Sequence, residues 1–420
     1  MVDPKVAVVI PTYNRRELLW QTLFQFTQQR PGTPSFEVIV SDDGSSDDSA
    51  SVVRYFEGAI PLKYHFQEDN GNRVALARNA GARLASAPIL VFLDSGTLPG
   101  PDFVRQHAAD HENINGPCAV AGYAYGYDPD RAMPGLADMV KRCTPEETVR
   151  HLGREPGFLD PRDKAFPDGC EPGLSHGGRE SSRDSIEWKN FWSINCSMRA
   201  DDFWAVGGFD EDHRGWAVED IDLGYRLFRY GVPIVYSRAA WVVEPPHPRN
   251  RDRETELSEL RTNMTRFLSL HPDSAIEVGW ARFYGYLSRP WRVEHTHLLR
   301  YRAQVRDLDV ADEIRHALRE AAHSTEDYSA AIIGAGGSIP DMPGRMTLLD
   351  FDDSLLRRSL RDGQHVGYNL IGLRVPLADQ SADVAVITSR VIGMWPHWGN
   401  RILDEAHRIA RNVICCGSYA

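Results

Sequence analysis

Positive charge is in deficit in this sequence. Across 420 residues, 47 Lys and Arg face 59 Asp and Glu, a formal net charge of −12 at pH 7. A general nucleic-acid binder needs a basic face, so no nucleic-acid partner is expected. The acids are spread along the chain and read as solvated surface. Cysteine is scarce too: Cys118, Cys143, Cys170, Cys196, Cys415 and Cys416 form no C-x-x-C pair, which suits free thiols in a reducing cytosol better than a disulfide framework. Long apolar runs are missing, so neither a membrane span nor the apolar core of a signal peptide is expected. The expectation is a soluble cytoplasmic protein. With 42% hydrophobic and 25% charged residues, the chain can bury cores for two or three domains.

The first half alternates strand and helix patterns, the signature of a layered α/β domain. "VAVVIP" (6–11) reads as a buried strand stopped by proline. "RELLWQTLFQFTQQ" puts Leu19, Leu23 and Phe26 on one helical face, with Pro31-Gly32 as its stop. "FEVIVSDDGSSDDS" is a strand entering an Asp-, Gly- and Ser-rich turn. "NRVALARNAGARLASA" is a small-residue helix able to pack close to a sheet, and "ILVFLD" is a third strand. Ligands of such sheets bind at the carboxyl ends of the strands. Pro11, Thr12, Tyr13, Asn14, Asp42, Asp43, Asp94 and Ser95 all fall there.

Four segments, "VVIPTYNR", "VIVSDDGSSDDS", "ARNAGARLASAPILVFLDSG" and "GGFDEDHRGWAVEDIDLGYRLFRYG", resemble the successive motifs of glycosyltransferase family 2, in order across about Val6 to Pro246. The last is similar to the acceptor segment of chondroitin polymerases and galactosyltransferases. The resemblance implies the GT-A nucleotide-sugar-binding fold and a nucleoside-diphosphate sugar donor, with uridine as the expected base. It maps nucleotide reading onto Pro11, Thr12, Tyr13, Asn14, Asp42 and Asp43, with Asp43 as the uracil reader and Asp42 as a second reader or a turn cap. A carboxylate suits the uracil N–H between its two carbonyls. Arg78 is expected to face the nucleotide or to pair with Asp42 or Asp43, and Arg73 to reach a phosphate. In "WAVEDIDLGYRL", the resemblance implies Asp220 as the general base of an inverting transfer and Glu219 as the residue orienting the acceptor, or these roles exchanged. Asp222 reads as a helix-start acid stabilised by the dipole, and Gly231 as the C-cap. Retaining relatives tend to carry an amide where Asp220 stands, which favours inversion.

The family usually presents D-x-D after its third strand, the last acid holding a divalent ion. Here Gly96 takes that place beside Asp94 and Ser95. Two ways of neutralising the leaving diphosphate follow: Asp94 and His247 holding Mn2+ or Mg2+ weakly, or the cluster Arg249, Arg251 and Arg253 replacing the ion. Trp188, Trp192, Trp216 and Trp241 are candidates for stacking on an acceptor, Trp192 and Trp216 foremost, although packing is the commoner use of each. Residues 122–187 form a Gly-, Pro- and Asp-rich stretch expected to act as a lid or binding loop.

The chain is thus read as a GT-A domain (1–250), a helical extension (251–326) with helices at 254–270 and 297–323 that pack or dimerise, and a small Rossmann-like α/β domain (327–420). The last resembles a truncated class I methyltransferase through "SAAIIGAGGS" and "MTLLDFDDSLL". Ile332 stands where that family has an acid, so a structural or docking remnant is favoured over use of S-adenosylmethionine. No Q-x-x-R-W signature of processive synthases is present. The expected activity is inverting hexosyl transfer from a UDP-sugar to an acceptor the sequence does not name. The alternatives are a catalytically impaired nucleotide-sugar-binding scaffold and a methyltransferase with a glycosyltransferase-like substrate domain.

Overall fold

In the computed structural model, which describes residues 3–114, 116–127, 133–166, 175–176, 184–247, 252–321, 328–342 and 344–417, seven buried residues, Val6–Thr12, form the first strand, β1. The elements α1 (Arg16–Thr27), β2 (Phe36–Asp42), α2 (Ser49–Phe56), β3 (Leu62–Phe66), α3 (Val74–Leu84) and β4 (Ile89–Leu93) follow in alternation. Continuous burial along β1 and β4 marks strands covered on both faces. By contrast, α1 buries Leu19, Thr22, Leu23 and Phe26, one stripe at helical spacing. It ends at Thr27, short of the Pro31-Gly32 pair. On α3, a Cβ at Gly81 would lie 2.5 Å from Val9 Cγ1, so the close approach of this helix to β1 requires glycine.

β5 (Leu98–Pro99), α4 (Phe103–Asn113), β6 (Ala119–Tyr125), α5 (Leu136–Arg142), α6 (Pro145–Leu152), β7 (Ser175–His176), β8 (Asn195–Arg199), α7 (Ala200–Ala205), α8 (Glu219–Tyr230) and β9 (Ile234–Val243) complete the first unit's sheet and its cover. The strand order is β3-β2-β1-β4-β8-β6-β9-β5, with β7 paired to β9. Pairing is parallel from β3 to β4, then β8 runs antiparallel to both β4 and β6. At this change of direction the carboxyl end of β4 meets the entry to β8, and the Asp94 N–H donates to the Ile194 carbonyl at 3.3 Å. A crevice at such a switch is where open α/β sheets place ligands.

The 122–187 stretch is more anchored than a lid reading implies. It contributes the end of β6, α5 and α6, and Arg162 is buried, donating to the Asn190 and Gly122 carbonyls at 2.9 and 3.0 Å. Its parts at 128–132, 167–174 and 177–183 lie outside the described residues.

The chain divides into two compact units, Met1–Glu259 and Leu260–Ala420. The second contains most of α9 (Arg253–Leu270), then α10 (Ser274–Phe283), α11 (Trp291–Gln304), α12 (Ala311–Ala321), β10 (Ala330–Ile333), β11 (Met346–Leu349), α13 (Asp353–Ser359), β12 (Val366–Tyr368), β13 (Ala382–Ile387), α14 (Trp395–Ile409) and β14 (Ala410–Cys415). Its sheet is wholly parallel, in the order β12-β11-β10-β13-β14. The sequence pattern missed α10 and ran α11 and α12 together as one helix. Ile314, Ala317 and Leu318 of α12 share one core with Ile332, Leu348 and Val386 of the sheet, so this helix and the strands bury their apolar faces together. At the tip of β11, Asp350 is fully buried. Its oxygens accept from the Gly336 and Asp352 N–H groups at 2.7 and 2.9 Å, and from Arg390 Nε and Nη2 at 3.0 and 3.2 Å.

Candidate active site

The site starts where β1 and β2 end. Pro11 and Thr12 are buried at the end of β1, and Thr12 Oγ1 has no hydrogen-bond partner among the described residues. Asn14 adopts φ +50°. Its side-chain oxygen accepts from the N–H groups of Ser46 and Asp47 at 2.8 and 3.1 Å, clasping the loop after β2. Tyr13 is 45% exposed, and its hydroxyl donates to Asp69 at 2.9 Å. Asp42 accepts from the Ser45 N–H at 2.7 Å and the Tyr64 hydroxyl at 2.9 Å. Asp43 accepts from Gln67 Nε2 at 2.6 Å and from the Arg73 N–H at 2.7 Å. Burial raises the Asp43 carboxyl pKa above its ordinary value, with those hydrogen bonds opposing. The Arg73 guanidinium lies 3.6 Å from Asp43 and also donates to the Glu68 carbonyl.

Arg78 is the hinge of the arrangement. It projects from α3, buried, and pairs with neither Asp42 nor Asp43. Its Nη2 donates to Asp94 Oδ1 at 2.8 Å and its Nη1 to Glu219 Oε1 at 2.8 Å, while Phe209 lies under the guanidinium at 5.3 Å. Burial alone would lower the Arg78 pKa, but the two carboxylates outweigh it and hold the group firmly charged. The Asp94 side chain is 36% exposed, leaving room for a ligand at the end of β4. Ser95 is buried, and its carbonyl accepts from Arg15 Nη1 at 3.0 Å.

Gly96 sits at φ +107°, and its Cβ position would lie 3.4 Å from Leu18 Cβ. That conformation disfavours any side chain, and an acid placed there would begin against Leu18 on α1. Gly96→Asp is therefore expected to destabilise by about 1–3 kcal/mol. A fall of several degrees in melting temperature, with no tighter manganese binding, would bear this out. A variant as stable as the parent would show that the loop relaxes freely.

Two residues before α8, Ala217 and Val218, have φ +70° and +83°, a conformation costly for side-chain-bearing residues. This strained turn precedes Glu219 and Asp220, and Asp220 is partly accessible. Its carboxylate accepts from the Ser193 N–H at 3.2 Å and its own neighbour, the Ile221 N–H, at 2.7 Å. Burial first, then the Glu219 charge, push the Asp220 carboxyl up to about 7, against Arg78 and those two N–H groups. Asp222 is fully buried and pairs with Arg226 one turn on, Nη2 at 2.8 Å. At the far end of α8, Gly231 caps the helix at φ +97° as expected.

The tryptophans divide. Trp188 is 1% exposed and belongs to the core. The Trp241 ring packs on Gly100, where a Cβ would lie 2.6 Å from it. Trp192 is half-buried, with Arg162 over its ring at 4.4 Å, and Trp216 has Arg253 at 5.8 Å. His247 Nδ1 lies 3.4 Å from Glu244 Oε1 and 3.2 Å from the Pro245 carbonyl. Arg249 and Arg251 lie outside the described residues. Sequence reasoning missed the Arg78 bridge to Asp94 and Glu219, the Gln67 contact to Asp43 and the strained turn. The only signal for the first was an arginine set among the small residues of "ALARNAG".

Residues 7–162 match the model of glycosyl transferase family 2, and residues 176–242 the one described as the N-terminal domain of galactosyltransferase. A validoxylamine A glucosyltransferase of Streptomyces hygroscopicus subsp. limoneus is 42% identical over 417 residues, 98% of this chain and 90% of that protein. The chain belongs to glycosyltransferase family 2. A second validoxylamine A glucosyltransferase, from subsp. jinggangensis, is also 42% identical, with 96% of its length covered. The hyaluronan synthase of Pasteurella multocida is 31% identical over 59% of this chain and 26% of its own. The first unit of this glycosyltransferase has the GT-A fold, with the parallel half of its sheet carrying the first three of the four motifs and α8 the last. No helix among the described residues is long and apolar enough to cross a membrane.

Proposed function

We propose that this glycosyltransferase inverts the anomeric centre, using a UDP-sugar donor and Asp220 as general base in the cytoplasm. The observation that carries the proposal is Asp220 itself: a partly accessible carboxylate at the start of α8, raised to about 7 by burial and by Glu219. A base of that strength is matched to neutral pH. In the reaction, the acceptor hydroxyl gives its proton to Asp220 as its oxygen attacks the anomeric carbon. The bond from that carbon to the diphosphate breaks on the opposite face, and the diphosphate leaves with the electron pair. Glu219, fixed by Arg78, orients the acceptor rather than taking the proton, because its Oε1 is already committed at 2.8 Å.

Pro11, Thr12, Tyr13, Asn14, Asp43 and Arg73 form the nucleotide side of the site in this reading. The unpartnered Thr12 Oγ1 supports it. Asp94 and Ser95 face the sugar and diphosphate. Asp94 keeps its second oxygen for a ribose hydroxyl or a divalent ion, which when bound would neutralise the leaving diphosphate. With Gly96 beside it and His247 as the other candidate, the set fits an ion held weakly and mainly by the nucleotide's own oxygens. Trp192 and Trp216 border the acceptor. The two Streptomyces relatives, named for glucosyl transfer to validoxylamine A, point to glucose as the sugar and to a small hydroxylated acceptor. The second unit is structural in this reading, since Asp350 is saturated by the chain's own donors and Arg390.

A pH profile tests the base directly. The base acts only when ionised, so kcat/KM should rise with pH through about 7 and then level off. An acid limb near 4, the ordinary carboxylate value, would remove Asp220 from this role.

A further inference from the structure

The loop after α7 carries His213 against α8. His213 is 2% exposed, and neither ring nitrogen has a hydrogen-bond partner among the described residues. Buried polar groups are seldom left so. Its Nε2 stands 3.9 Å from Asp210 Oδ2 and 3.9 Å from Asp222 Oδ2. One ligand atom of each residue lies within 4.8 Å of the others. These separations are too long for hydrogen bonds. They are near the roughly 3–4 Å between atoms that share one ion at about 2.0–2.2 Å.

Two carboxylates flank the imidazole. Asp210 Oδ1 accepts from the Asp212 N–H at 3.1 Å, and Oδ2 is the oxygen on the His213 side. Asp222 Oδ2 also accepts from Arg226 Nε at 2.9 Å, which fixes that oxygen on the His213 side. The Asp210 side chain is 21% exposed, a route for an ion and its water ligands. Neither Asp94 nor His247 belongs to the cluster, and Asp222 lies one helical turn beyond Glu219. The cluster therefore shares no residue with the Asp94 side of the site.

We propose that Asp210, His213 and Asp222 form a divalent-cation site, one imidazole and two carboxylates suited to zinc or manganese, that fastens the 207–216 loop to α8. Bound there, the ion holds the strained turn before Glu219 and Asp220 from both sides.

The test uses the full chain stripped with a chelator, titrated calorimetrically with zinc or manganese salts alone, without nucleotide. One equivalent should bind, and the melting temperature should rise with metal. His213→Ala and Asp210→Asn should each weaken that binding by at least about a hundredfold, since even outer-shell changes cost 10- to 100-fold. Asp94→Asn should leave it intact. If His213→Ala fails to fold, Asp210→Asn, at a partly exposed position, decides alone. No stoichiometric uptake of either metal, or uptake unchanged in both variants, would overturn the proposal.

Discussion

Asp220→Asn should lower kcat by about 10²- to 10⁴-fold while leaving UDP affinity within twofold of the parent, the range a positioned general base contributes. An amide cannot take the acceptor's proton, and only the transition state needs that transfer. The substitution keeps the side chain's shape and one of its two backbone hydrogen bonds, to the Ser193 or the Ile221 N–H. Stability gives an independent check. The folded chain raises the Asp220 carboxyl to about 7, so ionised Asp220 is disfavoured in the fold: its cost grows from the ordinary carboxylate value near 4 up to about 7 and is complete above that. At pH 8 the asparagine variant should therefore melt no lower than the parent. Equal losses of turnover and of UDP affinity would instead mark Asp220 as a binding residue.

Arg78→Met should be the most damaging single change in the first unit. It leaves the buried Glu219 without its partner at 2.8 Å and Asp94 without its own. Removing one member of a buried ion pair costs about 3–5 kcal/mol. The figure belongs at the lower end here, because Asp94 is 36% exposed and water screens it in part. Arg78→Lys offers one ammonium in place of a fork that reaches two carboxylates, so it should recover part of the stability and little of the activity. Arg78 also holds the Asp220 carboxyl down, so either substitution that weakens its charge there should move the acid limb of the pH profile upward. A less stable variant with an unmoved limb would make Arg78 a purely structural residue.

The local parts of this site were legible because they are written in contiguous residues. The acids after β2 and β4 and those opening α8 stand at strand and helix ends that apolar runs, small residues and a glycine cap announce. Continuous apolar runs such as "VAVVIP" gave the buried strands, and the small residues of "NRVALARNAGARLASA" foretold a helix packed close to the sheet, which the structure realises at Gly81 against β1. What was hidden depends on separation. Arg78 and Glu219 are 141 residues apart, and nothing in "ALARNAG" says which of several acids the guanidinium will reach. Arg390 and Asp350, 40 residues apart, were hidden for the same reason. The break between α11 and α12 was missed because polar residues continue through it, and no glycine or proline marks the stop. Strain at Ala217 and Val218 has no sequence signal, since these are ordinary residues held in a left-handed conformation by what surrounds them.

The most direct test of the account is the configuration of the product. The full chain would be supplied with UDP-glucose, whose glucosyl bond is α, and with validoxylamine A, the acceptor named for its 42% identical relatives. Proton NMR of the glycoside then reads the new anomeric centre. A β-linked product, formed by a single displacement with Asp220 as base, is expected. An α-linked product, or tight binding of UDP-glucose with no turnover, would contradict it.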